Sequence, residues 1–192
     1  MDKWDQLEET TRLKTPIFDV NEVRLDHPAH GREVRFVRID SADWINVIPI
    51  TEDDEVVLIR QYRAGLHEVC LEIPGGLVDP GEEPQATAIR ELAEETGYVP
   101  DSVELLGVVS PNPAFMNNRL HLFVARNCRL ERLPELDSNE QIEVVLRPLA
   151  DIPGLISSGE IHHALVIAAF HHLSLRTTQS SARRTGPLRN SG

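Results

Sequence analysis

The sequence predicts a layered α/β domain with a mixed sheet, preceded by a small antiparallel β segment. Three observations carry that expectation. Short apolar strand patterns alternate with helical ones through the middle of the chain, the order that builds a sheet covered by helices. One helix, 84–96, is punctuated at both ends, with Pro84 in its first turn and Gly97 just past its last. The length of 192 residues suits one principal domain plus a small extra segment.

Taken in order, residues 1–15 are polar and are expected to be frayed or loosely packed. Segments 17–25 and 33–39 are rich in Val, Ile and Phe between charges, and DHPAHGR (26–32) separates them with Pro28 and Gly31. That pattern reads as an antiparallel pair. WINVIPI (44–50) and VVLI (56–59) read as strands around the acidic turn 51–55. A loop holding Pro74, Gly75 and Gly76 leads into the helix at 84–96. Further strands are expected at 103–109, 120–125 and 142–146, with closing helices at 149–157 and 161–173. The last stretch, 176–192, is polar, basic and poor in apolar residues, and is expected to lack order. The divisions are thus a β segment over 1–43, a principal domain over 44–175, and a tail.

Composition narrows the function. An apolar content of 41% and a charged content of 26% are ordinary for a soluble globular protein. A net charge of −12 argues against gripping nucleic acid, which needs clustered Lys and Arg. An acidic protein still binds a phosphate ester when divalent cations screen its carboxylates. Cys70 and Cys128 lie far apart in apolar stretches without ligand spacing, and read as buried free thiols. The N-terminus has no apolar run and no stretch reaches the length of a membrane span, so no membrane partner is expected and the cytoplasm is the expected compartment. The pairs His162–His163 and His171–His172 invite a metal reading. Only one residue of each pair can face a helix core, and the two pairs are more than two turns apart, so they are not read as a metal site.

The informative stretch is 76–98, GLVDPGEEPQATAIRELAEETGY. At about 100° per residue, Ala88, Ile89, Leu92, Ala93 and Thr96 fall on one arc that can pack on a sheet. Glu91 and Glu95 are one turn apart and point the same way, with Glu94 about 60° further round, beside Arg90. Like charges at this spacing weaken a helix by about 0.2–0.5 kcal/mol per pair, and acids belong in a first turn rather than a last one. Hard divalent cations held by carboxylate oxygens would compensate. A solvated acidic helix face is the other meaning of such a run.

The wider spacing separates these readings. Gly76, Glu82, Arg90–Glu91, Leu92, Glu94–Glu95 and Gly97 resemble the Nudix box at every fixed position; Tyr98 stands where an aliphatic residue is usual. The resemblance implies a Nudix-type α/β/α sandwich and a hydrolase acting on a nucleoside diphosphate linked to another group. It implies Mg²⁺, with Mn²⁺ able to substitute, held by Glu91, Glu95, the Gly75 carbonyl, and Glu94 as a ligand or supporting acid. Glu82 and Arg90 would order the box, together with Gly76 and Gly97. Such metals clamp a pyrophosphate and activate water for in-line attack. NEQIEVV (139–145) resembles the region of ADP-ribose pyrophosphatases that supplies a catalytic glutamate. Glu140 is favoured over Glu143 there as the base for that water, and joins Glu94 and Glu95 as a candidate catalytic residue.

QYR (61–63) followed by LEIPGG (71–76), and the paired strands ahead of the domain, are similar to the ADP-ribose and nucleoside-diphosphate-sugar branch. Arg63 would offer a planar fork to phosphate, with Glu72 supporting the loop. SPNPAF (110–115) resembles that branch's proline-bearing loop, and makes Pro113 and Asn118 candidate substrate contacts. The usual acid after the loop is missing: Asn117–Asn118 stand there, which puts ADP-ribose itself in question within the branch. Trp44 would stack on a base or anchor the core or an interface. The expected product pair is a nucleoside monophosphate and a sugar phosphate. Cleavage of dinucleoside polyphosphates is an alternative, and a non-catalytic sugar-nucleotide sensor is another. The N-terminal β segment implies a homodimer.

Overall fold

The computed structural model describes residues 3–136, 138 and 141–184, with 177–184 by backbone alone. The first unit is an antiparallel sheet of three strands, β1 (Asp5–Lys14), β2 (Phe18–Asp26) and β3 (Glu33–Ser41), with β2 in the middle. Strand β1 corrects the expectation of a frayed start. Nearly all of its side chains are exposed, so no apolar alternation marks it. It forms because β2 offers a free ladder edge, and cross-strand ion pairs decorate it: Arg24 with Glu8, Arg38 with Glu9, and Arg12 with Glu22. A bridge from Ile39 to Met116 ties this sheet to the rest of the chain.

The principal domain contains β4 (Trp44–Ile50), β5 (Glu55–Arg63), β6 (Glu68–Glu72), β7 (Gly75–Leu77), α1 (Pro84–Thr96), β8 (Tyr98–Val99), β9 (Ser102–Val109), β10 (Leu120–Arg126), β11 (Arg129–Leu130), β12 (Ile142–Pro148), a 3₁₀ turn (Leu149–Asp151), α2 (Ile152–Ser157) and α3 (Ala164–Arg184). Its sheet runs β12-β5-β4-β10-β9, with β6 paired to β5 and β7 to β4. Strands β4 and β10 are parallel and the other pairs antiparallel, so the sheet is mixed.

Period-two alternation divides the core into two layers. Ile45 and Val47 of β4, with Phe123 and Ala125 of β10, pack under Ala88 and Leu92 of α1. Ile48, Ile50, Leu122 and Val124 face the other way, onto Val166, Ala169 and Phe170 of α3. Both faces of WINVIPI are therefore buried, which is why the segment is a continuous apolar run. The α/β/α sandwich with its small N-terminal antiparallel sheet follows.

Helix α1 starts at Pro84 and ends as its punctuation requires, with Gly97 left-handed at φ 77° and its N–H donating to the Ala93 carbonyl at 2.9 Å. Its buried arc is rotated from the predicted one. Ile89 is exposed, whereas Thr87 and Glu95 are buried. Helix α3 starts three residues later than predicted and continues to Arg184, through part of the expected disordered tail. No Gly or Pro interrupts the chain before Gly186, so nothing breaks the helical ladder. Among the described residues no helix is long and apolar enough to cross a membrane.

Candidate active site

The site is organised around the short strand β7. Its residues pair with β4, Gly75 opposite Asn46 and Gly76 opposite Ile45. The approach is so close that a Cβ on Gly75 would fall 2.6 Å from the Ile45 carbonyl oxygen. Helix α1 lies along the strand and delivers its glutamates to it. The Gly75 N–H donates to a Glu95 carboxylate oxygen at 3.1 Å. The Glu91 carboxylate covers the next residue, since a Cβ on Gly76 would fall 2.2 Å from Glu91 Oε1. Two carboxylates one helical turn apart thus meet consecutive residues of one strand.

Arg90 neutralises this acidic edge. One guanidinium nitrogen is 2.9 Å from Glu91 Oε1 and 3.0 Å from Glu94 Oε2. Nε and the other terminal nitrogen fork onto Glu82 at 3.1 and 3.0 Å, and the buried Thr87 hydroxyl donates to Glu82 at 2.8 Å. Bonds from Arg90 first, and from Thr87 next, hold the Glu82 carboxyl down at about 2. The loop before α1 is therefore clamped to the helix through Glu82, Thr87 and Arg90.

The other face of the site is a cleft of about 420 Å³, lined among others by Trp44, Asn46, Arg63, Gly75, Gly76 and His163. Strand β5 runs on past its predicted end and carries Arg63 into this cleft. Arg63 donates to both oxygens of Glu72, Nε at 2.9 Å and a terminal nitrogen at 2.8 Å. His163 reaches the same carboxylate at 2.8 Å. Burial pushes the Glu72 carboxyl up, but the His163 and Arg63 bonds and the Arg63 charge outweigh it and set it at about 2. Glu72 is 1% exposed, so it is a buried anion that fixes two cationic or polar groups at the cleft wall.

Does this arrangement suit a divalent metal? Glu91 and Glu95 present carboxylate oxygens to the strand that also bears the Gly75 carbonyl, a hard all-oxygen donor set. Glu94 is drawn aside to Arg90. The box glutamates do not form a group of three carboxylates whose oxygens all lie within 4.8 Å of one another; among the described residues only Glu68, Cys70 and His162 bring three such donor atoms together. The oxygen donors this geometry offers a divalent cation are the Glu91 and Glu95 carboxylates, which lie against the strand that carries Gly75.

The family model of the NUDIX domain matches residues 41–170. The chain belongs to the Nudix hydrolase family. The ADP-ribose pyrophosphatase of Bacillus subtilis (strain 168) is 32% identical over 179 residues, spanning 88% of this chain and 95% of that protein. The methanol dehydrogenase activator of Bacillus methanolicus is 33% identical over 133 residues, 69% of this chain and 72% of the other. A crystal structure of an ADP compounds hydrolase superposes with a TM-score of 0.82 at 25% identity, covering 94% of this chain and 97% of that one.

Within this Nudix domain the other candidates separate. Trp44 lines the cleft beside the box strand. Asn118 does not line it; the side chain is buried and donates to the Ala42 carbonyl at 3.2 Å, at the joint with the N-terminal sheet. Pro113 is exposed and borders a second cavity of about 600 Å³ between that sheet and the 113–116 turn. Glu140 lies outside the described residues. Glu143 is on β12 opposite Arg60, which it pairs at 3.3 Å, and does not line the cleft.

Three contributors escape the sequence reading. Asn46 is the lone polar residue of WINVIPI, a signal that one position of an otherwise buried strand meets something polar. Thr87 lies five residues after Glu82, a spacing without meaning until the loop is closed. His163 sits in a His-His pair with no ligand spacing, and only the fold brings it to Glu72. The histidine pairs do not converge: His162 turns to Cys70 at 3.5 Å while His163 turns to Glu72.

Proposed function

We propose that this Nudix hydrolase cleaves the pyrophosphate bond of ADP-ribose or a related nucleoside diphosphate sugar, releasing a nucleoside monophosphate and a sugar phosphate. The observation that carries the reading is strand β7, which lines the cleft and is met on consecutive residues by the α1 carboxylates of Glu95 and Glu91. A nucleotide lying in the cleft would set its diphosphate against the strand on which the proposed metal ligands of α1 converge. Mg²⁺, or Mn²⁺ in its place, would be held by Glu91, Glu95 and the Gly75 carbonyl with Glu94 alongside, and supplies charge neutralisation and an acidified water when bound. Arg63, locked by Glu72, offers its planar cation to a phosphate oxygen. Trp44 gives the base an aromatic wall. Glu140 is the proposed base, on its resemblance to the catalytic glutamate of ADP-ribose pyrophosphatases. The likeness to the ADP-ribose pyrophosphatase of Bacillus subtilis and to the ADP compounds hydrolase structure supports the substrate class.

Two further assignments belong to the same reading. The N-terminal sheet leaves Leu7, Leu13, Phe36 and Val37 exposed, and Ile17 and Phe18 of the same segment line the cleft. A homodimer would cover these apolar side chains, and light scattering at a mass twice 21.6 kDa would bear it out. The free thiols of Cys70 and Cys128 suit a reducing cytoplasm.

The test is a panel of ADP-ribose, ADP-glucose, GDP-mannose, a diadenosine polyphosphate and NADH with Mg²⁺. AMP release from ADP-ribose, largely abolished by Glu95→Gln, is the expected result. Cleavage of none of the five overturns the reading. Rapid turnover of the polyphosphate alone removes the substrate class and leaves the fold standing.

A further inference from the structure

A second cluster of donor atoms lies apart from the box. Glu68 and Cys70 are two residues apart on β6, so they share one face of the strand. His162 reaches them from the turn ahead of α3. Its Nε2 stands 3.5 Å from Cys70 Sγ and 3.2 Å from a Glu68 carboxylate oxygen, and all three donor atoms lie within 4.8 Å of one another.

The other ring nitrogen fixes what Nε2 can offer. His162 Nδ1 is 3.3 Å from the Gly159 carbonyl oxygen, and a carbonyl only accepts, so a proton on Nδ1 satisfies that contact and leaves Nε2 free to ligate. In the neutral ring Nε2 then turns a lone pair toward a carboxylate oxygen, and lone pairs repel unless something positive lies between them. A proton on Nε2 satisfies one neighbour at a time. A cation between the three atoms satisfies all of them, and a carbonyl on the far ring nitrogen is the usual orienting partner of a ligating histidine.

The spacing agrees with that choice. With bonds of about 2.3 Å to sulfur and about 2.0–2.2 Å to nitrogen and oxygen, a tetrahedral site has edges of about 3.6 Å for S···N and about 3.4 Å for N···O. The edges found are 3.5 and 3.2 Å. Cys70 is buried while Glu68 and His162 are exposed, which leaves an entry path and a fourth position facing water.

We propose that Glu68, Cys70 and His162 form a site for a borderline-soft divalent metal of the zinc class. Thiolate and imidazole donors select against the hard cation suited to the box, and binding sends the thiol proton to solvent. The ion would tie β6 to the start of α3, the two elements that bring Glu72 and His163 together. It does not depend on the substrate proposed above.

The test uses Co²⁺ as a spectroscopic stand-in, titrated into the whole protein in excess Mg²⁺. One equivalent should produce a near-ultraviolet thiolate-to-cobalt charge-transfer band that Zn²⁺ bleaches. Cys70→Ser should abolish the band, and His162→Gln, at an exposed position that leaves folding intact, should weaken Co²⁺ binding about tenfold or more. Cys128→Ser should leave the band unchanged. Absence of the band in the unsubstituted protein, its survival in Cys70→Ser, its loss in Cys128→Ser, or unaltered affinity in His162→Gln each overturns the proposal.

Discussion

Replacing Gly76 with alanine should separate catalysis from stability. The added methyl would fall 2.2 Å from Glu91 Oε1, 2.4 Å from its Cδ and 3.0 Å from its Cγ. Ordinary contact requires the carboxylate to retreat by about 1 Å. What must move is the end of a flexible side chain rather than backbone, and Gly76 is not at a positive φ. Re-aiming Glu91 costs about 0.5–1.5 kcal/mol in rotamer energy. Weakening its partly exposed pair with Arg90 costs about 0–1 kcal/mol. The lost chain entropy of glycine in the unfolded state offsets about 0.4–1 kcal/mol of this. Net stability should therefore fall by about 1 kcal/mol at the middle of these ranges and by no more than about 2 kcal/mol. Activity should not escape so lightly, because a 1 Å misplacement at a reacting centre costs about 10²-fold. Urea unfolding should give a midpoint near that of the parent. Turnover of ADP-ribose, measured across Mg²⁺ concentrations, should show kcat/KM lower by about 10²-fold and a raised Mg²⁺ requirement. Parental activity at parental Mg²⁺ would refute the placement of Glu91 at the reaction centre. An unfolded variant would refute the claim that only the side chain yields.

Other substitutions probe neighbouring links. Gly97→Ala should do the reverse of Gly76→Ala, because its Cβ would meet the Arg132 carbonyl oxygen at 2.1 Å with φ at 77°. Backbone must then move, and a loss of about 2 kcal/mol or more is expected in denaturant titration. Arg63→Lys keeps the charge but not the fork on Glu72; KM for the nucleotide should rise about tenfold and stability fall by about 1–3 kcal/mol, and an unchanged KM would remove Arg63 from the phosphate site. Acid should unfold the protein through Glu72. Its folded value of about 2 lies below the ordinary 4.5, so its stabilisation is complete above pH 4.5 and is lost as pH falls toward 2. That difference corresponds to about 3 kcal/mol. Unfolding midpoints between pH 7 and 3 should drop steeply in the parent and less in Glu72→Gln, and equal slopes would show that other groups govern the acid limb.

The helix from Pro84 to Thr96 and the strand from Trp44 to Ile50 were legible residue by residue, since local punctuation and burial pattern determine both. Strand β1 was not, because an exposed strand held by main-chain pairing and ion pairs leaves no apolar trace. Strands β6 and β7 were not, because one is short and the other consists of two glycines and a leucine. Asn118 illustrates the limit for single residues: a polar side chain near a recognised loop reads as a ligand contact until its burial against Ala42 is seen.

By itself the sequence determined the chemistry available to this protein. The spacing of Gly76, Glu82, Arg90, Glu91, Glu94, Glu95 and Gly97 carries the family resemblance, and a regular helix converts spacing into a common face without tertiary help. The tertiary structure alone decided which groups meet across the chain: Glu91 over Gly76, Glu95 on the Gly75 N–H, Arg63 and His163 on Glu72, and His162 on Cys70. Helical periodicity is a property of neighbouring residues. Contacts between residues 9 to 92 positions apart depend on how strands pair and how two layers pack on one sheet, and that is written in no local pattern.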